Sequence, residues 1–408
     1  MERGNAMRRL LGWLGMGLAI VMGVIAAGAT VYLFAAHAPR LWVLAAAGIV
    51  AAAIVGAMVA RITAGWAGVA RTRASVVVAV LAAMPLLVLM AVIGLTPKRT
   101  PFVSQGDLRG PHEQVRVDAG SSLAVWRVAP AQRRHATPVV FLHGGPGSYV
   151  RQRDIEVGAQ LREAGYETVY FDQAGSGASA DLPILTYSIS RSVADLDGLR
   201  KHLGAERLVL WGQSWGASLA AAYARAHPDR VAGAIFESPG DLPGEPATLD
   251  HNVTDQVEAF SPTPRDATLY LLINYAPQLA DEWLPQQEHH AYNDAIGASR
   301  AFRGYQCKGA PAIPRPASSG GSSLYTHQRL LRDMALQPRI SEIDAPWPAL
   351  VIRGDCDFIT AATAERYADA FDATLLKVPG VGHGLFGHDA QLAALLGDFA
   401  NGPLAEMP

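Results

Sequence analysis

Three uncharged stretches at the head of this chain limit its folding more than any other feature. Leu10–Ala36 runs for 27 residues, Leu41–Ala60 for 20 and Ser75–Leu95 for 21 without a charged side chain. An α-helix needs about 20 apolar residues to cross the ~30 Å of hydrocarbon in a bilayer. It also satisfies its own backbone polar groups there. One such stretch would suit a buried helix of a water-soluble protein. Three in succession, rich in Gly and Ala and flanked by Arg, read as a membrane domain over residues 1–95, with spans at about 10–36, 41–60 and 75–95. Pro85 is placed to kink the third. The rival for the first stretch is a secretory signal peptide, with Arg8 and Arg9 as its leader and Ala36-His37-Ala38 as an A-x-A cleavage site. That run is far longer than the ~7–15 apolar residues of such a leader, and Pro39 fits poorly after the cut.

Charge separates the chain into two parts. The first 100 residues hold nine Lys/Arg and one acid, a net of +8; the remaining 308 hold 25 Lys/Arg and 35 acids, a net of −10. An acidic remainder lacks the basic surface that neutralises phosphates, which argues against a nucleic-acid partner. The lipid bilayer is the partner the spans imply. With a cytoplasmic N-terminus, Arg3, Arg8, Arg9, Arg61, Arg71 and Arg73 lie inside, and Arg40, Lys98 and Arg99 outside. The excess of inside positive charge favours this orientation. It puts everything after Leu95 on the extracytoplasmic side of the cell membrane, where Cys307 and Cys356 are free to pair. Spacing alone does not show that they do. With two cysteines and no C-x-x-C, a zinc knuckle or disulfide scaffold is excluded.

Residues 96–112 are polar with Pro and Gly, a linker. Glu113–Asp118 and Ser122–Ala129 alternate around Ala119-Gly120-Ser121 and predict a hairpin. From Pro138, short apolar strands alternate with helical stretches. The strands are Val139–Leu142, Glu167–Phe171, Leu208–Leu210 and Val231–Phe236. The helices are Asp154–Ala164, Val193–Leu203 (N-capped by Ser190 or Ser192) and Ala217–Ala226. This alternation predicts an α/β fold, a mostly parallel sheet with helices on both faces. It stops near Gly240. Residues 240–340 read as a mainly helical inserted cap, with a Pro/Gly/Ser-rich loop at Ala310–Ser323. It resumes with strand Ala349–Ile352, helix Ala362–Ala370, strand Thr374–Val378 and helix Gln391–Phe399. The catalytic core is thus 113–239 with 341–408.

Gly212-Gln213-Ser214-Trp215-Gly216 is the only G-x-S-x-G in the chain. It follows a strand and opens a helix, the setting of a nucleophile elbow. Ser214 is the candidate nucleophile; the flanking glycines avoid clashes at a tight, strained turn. A serine hydroxyl needs a base and an orienting acid, in the order Ser, acid, His for this arrangement. The late strands run into Arg353-Gly354-Asp355-Cys356-Asp357 and Pro379-Gly380-Val381-Gly382-His383-Gly384. His383 is the candidate base, with His388 the rival. Asp357 is the candidate acid, with Asp355 the rival, whose alternative role is in a turn. An oxyanion hole needs backbone N–H groups. Trp215, after the nucleophile, supplies one. Gly145, within His143-Gly144-Gly145-Pro146-Gly147, is the other candidate. His143 is assigned a structural role, because the catalytic His comes last in the chain.

These motifs resemble the prolyl aminopeptidases (proline iminopeptidases) of the α/β-hydrolase superfamily. The likeness rests on His143–Gly147, on Phe171-Asp172-Gln173 with Gly175-Ser176-Gly177, on Asp195–Leu203 and on Gly212–Arg230. The resemblance implies an α/β-hydrolase fold with a triad at Ser214, Asp357 and His383. It also implies release of N-terminal residues, often proline, from short peptides, with no metal or cofactor. This chain has Ala174 where the family usually has Arg, and its three spans are absent from soluble members. Asp241–Ile340 does not align with the Trp- and Glu-rich cap whose carboxylates recognise the substrate amine. Asp281, Glu282 and Glu288, beside Trp283, are candidates there, a solvated helix face being the other role for each. Two further readings stand beside the aminopeptidase: an esterase, lipase or amidase on the same scaffold, and a hydrolase-like domain that only binds a ligand. Ser214 at the elbow argues against epoxide hydrolases and dehalogenases, which use Asp there. The spans carry no ionisable group suited to transport.

Overall fold

This computed structural model describes residues 2–35, 37–38, 40–96, 110–254, 262–283, 288–293, 305–311, 321–340, 343 and 345–406. The expected linker (96–112), the loop Ala310–Ser323 and the A-x-A motif fall wholly or partly outside them. The chain divides into two units, Met1–Lys98 with Pro262–Pro285, and Arg99–Ser261 with Gln286–Pro408.

The first unit contains α1 (Glu2–Phe34), α2 (Leu41–Ala67) and α3 (Arg71–Leu95). All three are long and apolar enough to cross a membrane. Each extends past its uncharged stretch into flanking arginines, because helical hydrogen bonding does not stop where the apolar run stops. Gly48, Ala52, Gly56, Ala60 and Ala64 recur every fourth residue on α2 and are all buried. A Cβ on Gly12 would fall 2.2 Å from the Ala67 nitrogen, and one on Gly23 would fall 2.6 Å from the Ala82 Cβ. The helix backbones are therefore in contact. Leu10, Leu14, Leu18, Ile54 and Val88 are exposed on the outside. Small residues inside and large apolar ones outside is the packing of helices that need no water around them. Pro85 lies inside α3 without ending it. The inserted stretch contributes α8 (Pro264–Tyr275) and α9 (Pro277–Trp283) to this unit.

The second unit is built on one eight-stranded sheet. In chain order the strands are β1 (Glu113–Arg116), β2 (Ser122–Val128), β3 (Val139–Leu142), β4 (Thr168–Phe171), β5 (Leu208–Gln213), β6 (Val231–Glu237), β7 (Ala349–Gly354) and β8 (Thr374–Val378). Their spatial order is β1-β2-β4-β3-β5-β6-β7-β8. β1 and β2 form an antiparallel hairpin through Gly120 at φ 89°, β2 is also antiparallel to β4, and all later pairings are parallel. Strands β3, β4, β5, β6 and β7 are buried at every residue, as expected when helices cover both faces. Phe141 meets Trp211 edge-on at 4.5 Å in the core.

Two helices differ from expectation. The helix expected at 154–164 is two pieces, α4 (Gln152–Val157) and α5 (Ala159–Glu163). They meet at Gly158, where the Tyr170 hydroxyl lies 1.9 Å from the position a Cβ would take. Helix α6 (Ile189–His202) starts at Ile189, not Val193, and its cap is Ser188, which accepts from the Arg191 N–H; Ser190 and Ser192 lie within it. Ile189 heads a buried stripe continued by Val193, Leu196 and Leu199, and that apolar face carries the helix one turn further back. Helix α7 spans Trp215–Ala226, and the last two helices span Ala361–Phe371 and Asp389–Asn401.

Cys307 and Cys356 are joined in a disulfide, 49 residues apart. Closing a loop of that length removes unfolded-state entropy worth about 4 kcal/mol. Replacing both cysteines by Ser should lower the melting temperature of the purified chain by roughly 5–10 °C, and reductant should do the same to the unsubstituted chain. Thermal unfolding in detergent reads both, and a melting temperature insensitive to either treatment would remove the stabilising role.

Candidate active site

The turn between β5 and α7 holds Ser214 at φ 53°, ψ −117°, a left-handed backbone that side chains seldom adopt. The surroundings over-determine it. A Cβ on Gly216 would lie 1.8 Å from the Leu142 carbonyl oxygen, and one on Gly212 would lie 2.4 Å from the Gly216 oxygen. The Ser214 N–H donates to the Glu237 carbonyl at 2.8 Å, and its own carbonyl accepts from Gly240 N–H at 3.0 Å. The Ala217 N–H donates to the same carbonyl at 2.9 Å, so the strain is held by backbone packing and three hydrogen bonds.

The strand ends of β7 and β8 carry the other candidates. His383 Nδ1 lies 2.8 Å from Asp357 Oδ1, with both side chains buried. The same Oδ1 accepts the Ile359 N–H at 2.9 Å. A carboxylate oxygen only accepts, so Nδ1 is the donor in this pair. Tyr305 and Phe358 stand against the His383 ring at 5.4 and 4.5 Å. Cys356, next to Asp357, is tied by the disulfide to Cys307 two residues after Tyr305, so this wall is held to the acid loop. Asp355 instead accepts the Gly380 and Val381 N–H groups, a turn role. His388 is exposed at the N-cap of the last helix.

The loop after β3 lies beside the elbow. A Cβ on Gly144 would fall 3.2 Å from the Ser214 Cβ. Gly145 sits at φ 124°, before a cis Pro146. Trp215 opens α7, so its N–H is among those without an intrahelical acceptor. His143 is fully buried and accepts the Gln173 N–H on Nε2 at 2.9 Å. Its Nδ1 proton therefore points to the Gly144 carbonyl, 3.0 Å away, and the ring is neutral and structural. Gln173 also donates to the His143 carbonyl and accepts the Trp215 indole N–H. One side chain thus ties both candidate oxyanion loops together.

Gln173 belongs to a recognised motif, but its type does not announce this bridging role. Arg153 was not foreseen at all, and no local pattern marks it. Its Nη2 donates to the Gly384 and Leu385 carbonyls, both at 3.1 Å, and its guanidinium stands 4.5 Å over Phe386. It grips the turn that presents His383. Glu237 is also buried, accepting from Trp211 Nε1 and Gln213 Nε2 at 2.9 Å each. Burial pushes its carboxyl up, against the pull of Arg153 and these donors. For Arg153, burial alone would lower the pKa; Glu237, Asp154 and Asp389 outweigh it, and the net shift is upward. Of the expected substrate-binding acids, Asp281 and Glu282 lie on α9 in the first unit, where Glu282 pairs with Arg40 at 3.8 Å. Glu288 lies in the second unit and is buried.

Residues 137–390 match the α/β-hydrolase fold family. A probable proline iminopeptidase of Streptomyces coelicolor is 37% identical over 128 residues, 30% of this chain and 38% of that protein. The chain thus spans well under half the length of that relative. The proline iminopeptidase of Lactobacillus helveticus is 27% identical over 261 residues, 62% of this chain and 85% of that one. The solved proline iminopeptidase of Mycobacterium smegmatis is 21% identical, covering 72% of this chain and 99% of its own, with a TM-score of 0.45.

Arg153→Met removes the grip on the His383 turn and leaves Asp357 untouched. We expect turnover of a chromogenic ester to fall by roughly 10–100-fold, the scale of a displaced reacting group, with KM moving less than about threefold. Unchanged kcat, or a loss confined to KM, would show that Arg153 does not position the histidine.

Proposed function

Since the chain belongs to the α/β-hydrolase fold family, we propose that it is a membrane-anchored serine hydrolase that releases N-terminal residues, proline foremost, from short peptides. The observation that carries the chemistry is the buried His383–Asp357 pair on the loops after β7 and β8, beside a sequence that puts the strained Ser214 in the turn after β5. The relatives named as proline iminopeptidases support the substrate class.

In this reading, Nε2 of His383 takes the Ser214 proton as Oγ attacks the carbonyl of the N-terminal residue. Asp357 keeps the proton on Nδ1 and stabilises the imidazolium. The oxyanion takes hydrogen bonds from the Gly145 and Trp215 N–H groups. His383 then protonates the departing amine, and water resolves the acyl-enzyme by the reverse relay. Ala174, where the family usually has Arg, and the partition of the inserted stretch leave the amine-binding carboxylate open; among the described residues, Glu288 is the buried acid of that stretch in the second unit. The chain needs no cofactor for these steps.

The three apolar helices support anchoring in the cell membrane. The arginine bias and the disulfide both favour an extracytoplasmic catalytic part, since disulfides persist in oxidising compartments.

Cleavage of a proline aminoacyl amide tests the substrate class. It should require the free amine, stop on acetylation, and fall by at least about 10³-fold in Ser214→Ala. Ser214-dependent cleavage of short esters with no action on the amide would replace the aminopeptidase by an esterase. A reporter fused after Pro408 should be active only outside the cytoplasm; cytoplasmic activity would reverse the orientation.

A further inference from the structure

His289 and His290 lie in residues 288–293, a helical piece of the inserted stretch. The His289 ring is fully buried, stacked on Tyr325 at 3.9 Å and edge-on to His290 at 4.3 Å. Neither of its ring nitrogens has a hydrogen-bond partner among the described residues. A neutral imidazole has one donor and one acceptor to satisfy, and each one left unmet in the interior costs free energy. Unpartnered buried groups of this kind call for an ion or water at the site.

A second observation says which. Across from the two rings stands Asp181, in the core loop that follows β4. His290 Nε2 is 3.3 Å from Asp181 Oδ1. One donor atom from each of Asp181, His289 and His290 lies within 4.8 Å of the others. Donors bound ~2.0–2.2 Å from a tetrahedral ion stand about 3.3–3.5 Å apart. The His290–Asp181 pair already has that separation, and the His289 donor lies within 4.8 Å of both. The ion pair accounts for His290 and Asp181 but leaves His289 unexplained. We propose that Asp181, His289 and His290 bind one divalent transition cation, zinc by the character of the donors, with the fourth position open to water. Two imidazoles and one carboxylate suit zinc; hard oxygen-seeking ions would find too few oxygens.

The cation acts in the fold and not in hydrolysis, and the proposal is independent of the peptidase reading. It joins residues 288–293 of the insertion to the loop that carries Asp172–Asp181. A Cβ on Gly321 would lie 2.2 Å from His290 Nδ1. The Gly321 carbonyl accepts the Gly177 N–H at 2.9 Å, and two residues on Ser323 N–H donates to the Gly147 carbonyl. The site therefore braces the insertion where it meets the candidate oxyanion loop.

The test uses the untagged full-length chain in detergent, stripped with chelator and reloaded with Zn²⁺ alone. Metal content after gel filtration should approach one zinc per chain. Affinity, by competition with a chromophoric chelator, should fall tenfold or more in Asp181→Asn and more in His289→Gln. Zn²⁺ should raise the melting temperature of the parent chain and not of Asp181→Asn, and Co²⁺ in its place should give the visible absorption of a tetrahedral site. If His289→Gln does not fold, Asp181→Asn alone decides. Zinc bound equally by the parent and Asp181→Asn, or no zinc retained by the parent, would overturn the site.

Discussion

The close passage of the β5–α7 turn beneath the end of β3 is the contact on which the rest of the site depends. The Leu142 carbonyl occupies the space where a Gly216 side chain would begin. That contact fixes how far the Ser214 turn stands from the loop after β3, and so sets the candidate oxyanion hole. It also explains why strain at Ser214 persists. Relaxing the turn would push backbone into backbone, and close-packed interiors resist that. The hydrogen bond from Ser214 N–H to Glu237, one strand over, adds a second restraint.

Around this contact the polar groups are arranged so that few side chains do several tasks. Gln173 joins the two loops that would hold the oxyanion. Arg153 holds the histidine turn. Each is buried or nearly so, where the dielectric is low and a hydrogen bond is both stronger and costlier to lose. Glu237 shows the balance: its burial disfavours charge, while Arg153 and two N–H donors favour it. Such groups stabilise one arrangement of loops and penalise all others, which is what a candidate site drawn from four separate strand ends requires.

Much of this was legible in the sequence, for reasons that differ from part to part. The three long apolar helices were legible because an uncharged run of bilayer length admits few other structures. Ser214, His383 and Asp357 could be nominated as candidates because tight turns admit few residue types, so glycines mark the loops that bear them. The choice of Asp357 over Asp355 rests on loop spacing, and the structure gives Asp355 to backbone N–H groups of the next turn. The break at Gly158 was not legible, since it depends on the Tyr170 hydroxyl arriving from another strand. Nor was Ser188 as the cap of α6; two nearer serines fit the local rule equally well, and the buried stripe from Ile189 decides.

What the sequence did not carry was whatever depends on long-range meeting of ordinary residues. Arg153 and Gly384 are 231 residues apart, and the disulfide joins Cys356 of the acid loop to Cys307, 49 residues away and outside any motif. The inserted stretch is the extreme case. Its acids separate, α9 with the long helices and Glu288 with the sheet, so no spacing rule could choose among them. Machinery and recognition thus differ in kind. The first is bound by backbone geometry, which few residue types meet. The second needs only a charge at the right place in space, and many sequences supply that. Chemistry can therefore be argued closely for this chain from local pattern, while recognition has to be sought in three dimensions, beginning with the buried acid that stays on the side of the sheet.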